Sequence, residues 1–294
     1  MTKRILLQFD PDSQPSSFDS VVAADAGVDH LFRYGNVHTT SVTSLVHGAM
    51  FTRGGKDLRD TAVFIGGSDV RAAETLFKVT QETFFGSVRV SVMLDANGCN
   101  TTASAAVVAA SRHVPLSGSK AVVLGGTGPV GRRAAQLLAS DGANVTLTSR
   151  SLDRAQAACD QIAEIVSAGS LVAAAPATED QTLDILVDAQ IVIACGAAGV
   201  QLADAETILA ASGLKVAIDL NAVPPAGIEG ICVTDKAKPI GAENHAVVGY
   251  GAIGVGGLKM RTHKAAIRSL FEANDRVLDA AEIYAIAKSI DQQS

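Results

Sequence analysis

The 294-residue sequence lacks several patterns that mark common classes of protein. Its four cysteines form no C-x-x-C pair, which argues against a disulfide framework or a structural zinc site and fits a reducing cytosol. No segment approaches the roughly 18 uninterrupted apolar residues of a membrane helix. The apolar start of the chain stops at Asp10, too early for a signal peptide. We therefore expect a cytoplasmic protein without a membrane partner.

Charge and catalytic motifs exclude further classes. The net charge is −6 and the basic residues are scattered, so we predict no nucleic-acid surface. The six histidines form no H-x-x-x-H or H-E-x-x-H arrangement, and we predict no metal site. There is no G-x-S-x-G elbow, and Cys99 has no basic partner nearby in the sequence. We predict no acid/base catalytic residue, a situation that suits hydride transfer by a bound cofactor.

The most informative pattern that is present is a glycine-rich turn. The apolar run 121–124 leads into Gly126, Gly128 and Gly131 at G-x-G-x-x-G spacing, and an alanine-rich helical segment follows. A strand, a tight loop and a helix N-terminus in this order bind the pyrophosphate of a dinucleotide. An ordinary tight turn is the alternative interpretation.

The next strand, predicted at 145–148, indicates which dinucleotide binds. An NAD site usually has Asp or Glu at the end of this strand, about 20 residues after the loop. Here Ser149, Arg150 and Ser151 follow the strand, Arg154 lies one turn later, and no carboxylate precedes Asp153. Hydroxyl and guanidinium groups bind a 2′-phosphate, so NADP is favoured, with NAD as a possible second cofactor. The alternative is that both arginines are solvated residues at a helix start.

Further cofactor contacts are expected on the loops that follow the strands of the same domain. We predict a second glycine-rich loop over 249–257, which would approach the nicotinamide closely. The predicted contacts beyond the second strand are Gly126, Thr127, Gly128, Pro129, Val130, Gly131, Gly196, Asn221, Gly254 and Gly256.

Periodicity predicts an α/β fold with two α/β domains and a cleft between them. The second domain is predicted as a Rossmann-like, doubly wound parallel sheet. We place the first domain at residues 1–114, completed by about 260–294, and the NADP-binding domain at 115–259. In the first domain we predict strands at 5–9, 30–34, 61–65 and 88–94, and helices over 17–26, 39–49, from a Ser68 cap to 83, and from Asn100 or Thr101 to 112. Later we predict strands at 171–174, 191–194 and 216–220, and helices over 152–167, 179–187, 203–212 and 258–272, with a last helix from an Asp279 cap to 289.

Polar residues in three places are candidates for substrate binding. Arg53 and Lys56 flank two glycines in a predicted loop of the first domain. A second group follows the strand that ends at residue 94, where open α/β sheets bind ligands. Lys259 follows the second glycine-rich stretch, with His263 one helical turn later. The alternatives are a solvated turn at 52–56, plain helix caps at 100–101, and surface positions for Lys259 and His263. The second group consists of Asp95, Asn97, Asn100 and Thr102.

These motifs, in this order, resemble the NAD(P)-dependent methylene-tetrahydromethanopterin dehydrogenases of bacterial C1 metabolism. The likeness covers essentially the whole chain. It rests on residues 7–10 (LQFD), 34–37 (YGNV), 52–56 (TRGGK), 93–102 (MLDANGCNTT), 126–131 (GTGPVG), 224–225 (PP) and 254–259 (GVGGLK).

The resemblance implies hydride transfer from methylene-tetrahydromethanopterin to NADP or NAD, in a homo-oligomer. It implies that Asp95 favours the positive charge of the methenyl product, and that Lys56 and Lys259 bind pterin carbonyl or cofactor groups. A more distant resemblance is to methylene-tetrahydrofolate dehydrogenase/cyclohydrolases, which carry a Tyr-x-x-x-Lys pair. Thr52 and Lys56 occupy that spacing here, so we expect no cyclohydrolase activity.

Three other functions remain open at this point. The first is the same reaction on methylene-tetrahydrofolate, because the two carriers share the reacting ring. The second is a non-catalytic NADP sensor, against which the polar segments 52–56 and 95–102 argue. The third is an NADP-dependent dehydrogenase of the shikimate type, which would need a positioned acid/base pair.

Overall fold

The computed structural model describes residues 2–241 and 247–293. The chain divides into two compact units. Unit 1 comprises Met1–Thr101 and Met260–Ser294, and unit 2 comprises Thr102–Lys259. Each unit contains one sheet, which confirms the α/β fold class predicted from the sequence.

The strands are short, as expected for parallel sheets with buried faces. They are β1 (Ile5–Phe9), β2 (His30–Tyr34), β3 (Thr61–Ile65), β4 (Ser91–Leu94), β5 (Lys120–Leu124), β6 (Asn144–Thr148), β7 (Ser170–Ala174), β8 (Ile191–Ala194), β9 (Val216–Asp219), β10 (Lys236–Ile240), β11 (Val247–Tyr250) and β12 (Val277–Leu278). The α-helices are α1 (Ser17–Asp25), α2 (Thr39–Phe51), α3 (Val70–Glu82), α4 (Cys99–Ser111), α5 (Pro129–Ser140), α6 (Leu152–Ala163), α7 (Glu179–Leu186), α8 (Ala205–Ala210), α9 (Ala252–Ser269) and α10 (Ala280–Gln292).

Unit 1 contains a five-stranded parallel sheet in the order β12-β4-β3-β1-β2. All five residues of β3 are buried, because helices cover both faces of such a sheet. Its core joins Leu6 and Phe64 to Ile267 and Phe271 of the C-terminal segment. Residues from both ends of the chain therefore build one core.

Unit 2 contains a seven-stranded sheet in the order β10-β11-β9-β8-β5-β6-β7. Numbered from β5, its six parallel strands have the order 3-2-1-4-5-6 of a doubly wound dinucleotide-binding sheet. The antiparallel strand β10 pairs with β11 at one edge. The predicted doubly wound sheet is therefore confirmed. In this fold ligands bind at the carboxyl ends of the strands where the order reverses, next to β5.

Several predicted element bounds need correction. The cap of α3 is Asp69, whose carboxylate accepts from the backbone of Arg71 and Ala72, whereas the Ser68 hydroxyl donates to Asp12. The strand predicted at 88–94 begins only at Ser91. α4 begins at Cys99, one or two residues before the predicted start at Asn100 or Thr101. α6 and α8 are shorter than predicted.

The largest correction concerns residues 249–257, which we predicted as a glycine-rich loop. Residues 249–250 end β11, and α9 begins at Ala252. Gly254 and Gly256 therefore lie in the first turns of a helix. No helix in the described residues is long and apolar enough to cross a membrane.

Candidate functional site

The loop after β5 makes a tight turn that depends on glycine. Gly125 has a φ of +64°, and a Cβ there would lie 2.7 Å from the Cα of Gly196. The backbone N–H of Gly125 donates to the hydroxyl of Thr148 at 3.1 Å. The loop after β5 thus contacts the last residue of β6 and the loop after β8.

The three glycines of the fingerprint have different environments. A Cβ at Gly126 would lie 2.7 Å from Cγ of Leu147, and one at Gly131 would lie 2.6 Å from the Cα of Gly126. These two glycines allow α5 to pack closely on the sheet. A Cβ at Gly128 would meet no described atom nearer than the Cys195 carbonyl oxygen at 4.0 Å. Gly128 therefore leaves open space at the start of α5.

The N-terminus of α5 is suited to an anion. Gly128 is the N-cap residue, Pro129 follows at the first position, and no described side chain caps the helix. The first N–H groups of a helix have no partner within the helix, and the helix dipole favours negative charge there. Because Pro129 has no N–H, the donors must come from the neighbouring residues.

A cavity of about 1380 Å³ opens in front of this turn. Pockets for drug-sized ligands measure about 300–1,000 Å³. This cavity is larger than that range and has room for a dinucleotide, which is larger than such ligands. The predicted cofactor residues that line it are Thr127, Gly128, Pro129, Val130, Ser149, Arg150, Ser151, Arg154 and Gly196. Gly126, Gly131, Asn221, Gly254 and Gly256 are not among the described residues that line it.

In the segment after β6, two serine hydroxyls accept hydrogen bonds from the backbone of the same segment. The Ser149 hydroxyl accepts from the backbone N–H of Ser151 at 3.3 Å, and the Ser151 hydroxyl caps α6 by accepting from Arg154 at 3.4 Å. Arg150 and Arg154 are exposed at the cavity wall. This end of the cavity therefore carries two cations and two hydroxyls.

The sequence interpretation predicted Gly196 in the loop after β8 but missed other lining residues in two segments. One follows β7 and includes Thr178 and Glu179, and the other follows β8 and includes Cys195 and Asp204. The predicted doubly wound fold would have indicated both, because such a sheet places β7 beside β6 and β8 beside β5.

Asn221 lies in a turn next to a buried carboxylate. Its side chain accepts from the N–H of Val223 and donates to the carbonyl of Pro225, both at 3.0 Å. The Asp219 carboxylate accepts from the backbone N–H groups of Asn221, Gly227 and Ile228 at 2.7–3.1 Å. Burial raises the pKa of Asp219, while these three hydrogen bonds oppose the rise. These contacts give Asn221 a structural role in holding the loop.

Gly254 and Gly256 also differ from each other. A Cβ at Gly254 would overlap the carbonyl oxygen of Asp235 and lie 2.8 Å from its carbonyl carbon. At Gly256 a Cβ would meet no described atom within 4 Å. Close packing against Asp235 therefore explains the glycine at position 254 without a cofactor contact.

In unit 1, Asp95 and Asn100 are fully buried. The Asp95 carboxylate accepts from the N–H groups of Asn100 and Thr101 and from the Thr101 hydroxyl, at 2.7–3.0 Å. The Asn100 amide donates to the Leu94 carbonyl at 2.7 Å and to Asp279 at 2.9 Å. Both residues thus tie β4 to the start of α4. Asn97 is exposed with a φ of +51°, and Thr102 is half-buried.

His263 is fully buried, so the surface position that we considered for it is wrong. Its Nδ1 lies 3.9 Å from the nearer Asp95 oxygen. Its ring centroid lies 5.6 Å from that of Phe64 and 6.4 Å from that of Phe18. Phe18 is half exposed, and the sequence interpretation missed its position beside this group.

The segment 52–56 is more structured than the predicted loop. A 3₁₀ helix covers Gly55–Asp60. The Arg53 guanidinium donates to the Asp60 carbonyl at 2.7 Å, which anchors the side chain, while Lys56 is exposed. Lys259 is half-buried on α9.

We predict that Cys195 resists alkylation although it lines the cavity. Burial, with a smaller effect of the Asp219 carboxylate, raises the pKa of the Cys195 thiol to about 12. At pH 8 only about one thiol in ten thousand would be the reactive thiolate. Iodoacetamide at pH 8, followed by peptide mass spectrometry, should label the exposed Cys232 first. In Cys232→Ser, fast labelling should disappear; equal labelling of Cys195 and Cys232 in the unmodified protein would contradict the assignment.

Comparisons with known proteins identify the family. A family model described as "Methylene-tetrahydromethanopterin dehydrogenase, N-terminal" matches residues 17–97. "Bifunctional protein MdtA" of Methylorubrum extorquens is 44% identical, over 99% of this chain and 100% of its own. "NAD(P)-dependent methylenetetrahydromethanopterin dehydrogenase" of the same organism is 32% identical over 99% of both chains. This chain belongs to the methylene-tetrahydromethanopterin dehydrogenase family. The resemblance predicted from the motifs is therefore confirmed.

Solved structures show how widely the fold of this family occurs. Ligand-free 5-ketofructose reductase of Gluconobacter sp. strain CHM43 has a TM-score of 0.55 at 14% identity, covering 98% of this chain and 99% of its own. Quinate dehydrogenase from Corynebacterium glutamicum, solved in complex with NAD, has a TM-score of 0.54 at 15% identity, with the same coverage. At such low identity these likenesses show the fold alone.

Proposed function

We propose that this protein removes a hydride from the bridging carbon of methylene-tetrahydromethanopterin and transfers it to NADP. The products are methenyl-tetrahydromethanopterin and NADPH. Family membership supports this proposal, and the relative with 32% identity bears the name of this activity. Because that name includes both dinucleotides, we propose NAD as a second acceptor.

The assignment of NADP as the cofactor rests on the cavity of unit 2. Its wall offers the open backbone at Gly128 for a pyrophosphate, and Ser149, Arg150 and Arg154 for a 2′-phosphate. Guanidinium groups bind phosphate through paired, charge-assisted hydrogen bonds. We propose Thr127, Val130 and Gly196 as the neighbouring groups that complete this site, while Gly131 supports it by packing against Gly126.

When it is bound, the nicotinamide supplies the hydride acceptor. The residues of this chain bind and orient. The hydride leaves a carbon between two nitrogens, and both nitrogens share the positive charge of the product. No proton moves in this step, so no general base is required. The protein has to hold the reacting atoms about 3–3.5 Å apart, which is a task of positioning.

We propose that polar side chains of segments 52–56 and 97–102, with Lys259, bind the pterin. Lys56 is the leading candidate because its side chain is exposed, and Lys259, Arg53, Asn97 and Thr102 remain further candidates. For Asp95 and Asn100 we propose a positioning role, since their side chains already bond to the chain around α4. If Lys56→Ala and Lys259→Ala both leave kcat and KM unchanged, the two lysine assignments fail.

A second candidate is the same reaction on methylene-tetrahydrofolate. The relative with 44% identity is named "bifunctional", which favours testing a second activity. We propose that cyclohydrolase activity is absent, because Thr52 stands where the folate enzymes carry tyrosine.

The test is an absorbance assay of the purified protein with each methylene carrier against NADP and NAD. We expect reduction with the methanopterin carrier and NADP to be the fastest of the four combinations. Turnover with the folate alone would reverse the order of the two candidates. No reduction in any combination would leave only the NADP-binding sensor.

We also propose a cytoplasmic location and a homo-oligomeric state. The four cysteines are free, which fits a reducing compartment. The oligomer follows from the family resemblance, and light scattering on the purified protein measures it.

A further inference from the structure

The described wall of the cavity carries two basic and two acidic side chains. The basic ones are Arg150 and Arg154, and the acidic ones are Glu179 and Asp204. Asp204 caps α8 by accepting from the N–H of Thr207 at 2.7 Å, and hydrogen bonds from Thr207 lower its pKa. Its carboxylate is therefore engaged. Within residues 2–241 and 247–293, no hydrogen bond or ion pair holds the Glu179 carboxylate.

The segment that carries Glu179 is held in place by its neighbours. The N–H of Ala177 donates to the Gln181 side chain at 2.7 Å, and the N–H of Gln181 donates to the Thr178 hydroxyl at 3.2 Å. These bonds hold the conformation of the first turn of α7, and Glu179 in this turn lines the cavity. The Glu179 carboxylate and two guanidinium groups thus border one cavity, and no ion pair joins them among the described residues.

We infer that Glu179 limits the preference of this site for NADP over NAD. The inference rests on the proposed function, because it assumes that the cavity binds these dinucleotides. The two arginines attract the dianionic 2′-phosphate of NADP, and the Glu179 carboxylate on the wall of the same cavity repels it. The 2′-hydroxyl of NAD is neutral and escapes this repulsion. An NAD site usually has an acid at the end of its second strand, where the acid disfavours a 2′-phosphate. The corresponding strand β6 lacks that acid here. Glu179, which follows the third strand β7, disfavours the 2′-phosphate instead.

The test compares Glu179→Gln with Asp180→Asn. Both variants remove one negative charge from the first turn of α7, but Asp180 is not among the described residues that line the cavity. Calorimetry at low ionic strength gives Kd for NADP and NAD, and for the fragments 2′,5′-ADP and 5′-AMP, which differ only in the 2′-phosphate. We expect Glu179→Gln to tighten NADP and 2′,5′-ADP about three- to tenfold, and NAD and 5′-AMP by a smaller factor because they lack the 2′-phosphate. Asp180→Asn should change neither the ratio of Kd for NADP to Kd for NAD nor the ratio of Kd for 2′,5′-ADP to Kd for 5′-AMP.

High salt provides a second check, because about 1 M salt shortens electrostatic screening to about 3 Å. The gain in Glu179→Gln should shrink under these conditions. Equal changes for NADP and NAD would overturn the inference, since they would indicate a contact with the shared adenosine. An unchanged ratio, or the same shift in Asp180→Asn, would also overturn it. If the unmodified protein binds neither dinucleotide, the proposed function itself fails, which is a distinct result.

Discussion

Gly128→Ala is expected to weaken NADP binding about 100-fold or more while leaving the free energy of unfolding nearly unchanged. The backbone of Gly128 has φ −74° and ψ 169°, which alanine adopts without strain. A Cβ at this position has room in the protein, because its nearest described atom lies 4.0 Å away. The same Cβ would occupy the space through which a pyrophosphate approaches the start of α5. Calorimetric titration with NADP and urea unfolding measure the two quantities.

Gly48→Ala is the matched control for this change. Gly48 lies in α2 of unit 1, and a Cβ there would meet no described atom within 4 Å. This variant should bind NADP normally and unfold at a slightly higher urea concentration, because alanine favours the helix. Normal NADP binding by Gly128→Ala would mean that the pyrophosphate does not lie at this loop.

Gly254→Ala is expected to lower the free energy of unfolding by about 3 kcal/mol, the upper end for overpacking. The added methyl group would overlap the backbone carbonyl of Asp235, which cannot move as a flexible side chain does. The start of α9 would have to shift away from this segment. Urea unfolding followed by circular dichroism gives the change.

Gly257→Ala provides the comparison on the same helix. Gly257 is exposed, and a Cβ there would meet no described atom within 4 Å. Its replacement should raise stability by about 0.5–1 kcal/mol through helix propensity alone. If Gly254→Ala keeps normal stability and loses only NADP binding, our earlier expectation of a cofactor contact at Gly254 is right and the packing explanation is wrong.

The contrast between Gly254 and Gly128 shows where sequence interpretation succeeds. The G-x-G-x-x-G spacing predicts its own surroundings, because strand, turn and helix are neighbours in the chain. The glycines of 249–257 have no such local signature. Their density suggested a loop, but Gly254 serves close packing against Asp235, a contact that only the folded unit reveals.

Strands, too, were predicted correctly where the sequence pattern is clear and were missed where it is not. The predicted strands 5–9, 30–34, 61–65 and 191–194 are confirmed at their bounds. The edge strand β10 was missed, since its sequence Lys-Ala-Lys-Pro-Ile is mostly exposed and contains a proline. Exposed edge strands lack the apolar run that identifies buried strands.

Residues of the candidate site were predicted when they lie near a motif in the sequence and were missed when only the tertiary fold brings them to the cavity. Sequence motifs brought attention to Arg150 and Arg154, which are close in the chain to the glycine loop. Glu179 follows a different strand, and the tertiary fold brings it to the same cavity. Asp95 illustrates the opposite case: its position at a strand end suggested a substrate contact, and the structure surrounds its carboxylate with three hydrogen bonds from the start of α4.

The most direct test of the proposed reaction follows the hydride itself. Methylene-tetrahydromethanopterin that carries two deuterium atoms on the bridging carbon is mixed with excess protein and NADP for a single turnover, and the reduced cofactor is analysed by mass spectrometry and NMR. The proposed reaction predicts one deuterium at C4 of the nicotinamide for each methenyl product formed, with none lost to water. NADPH without deuterium, or methenyl product without reduced cofactor, would contradict it.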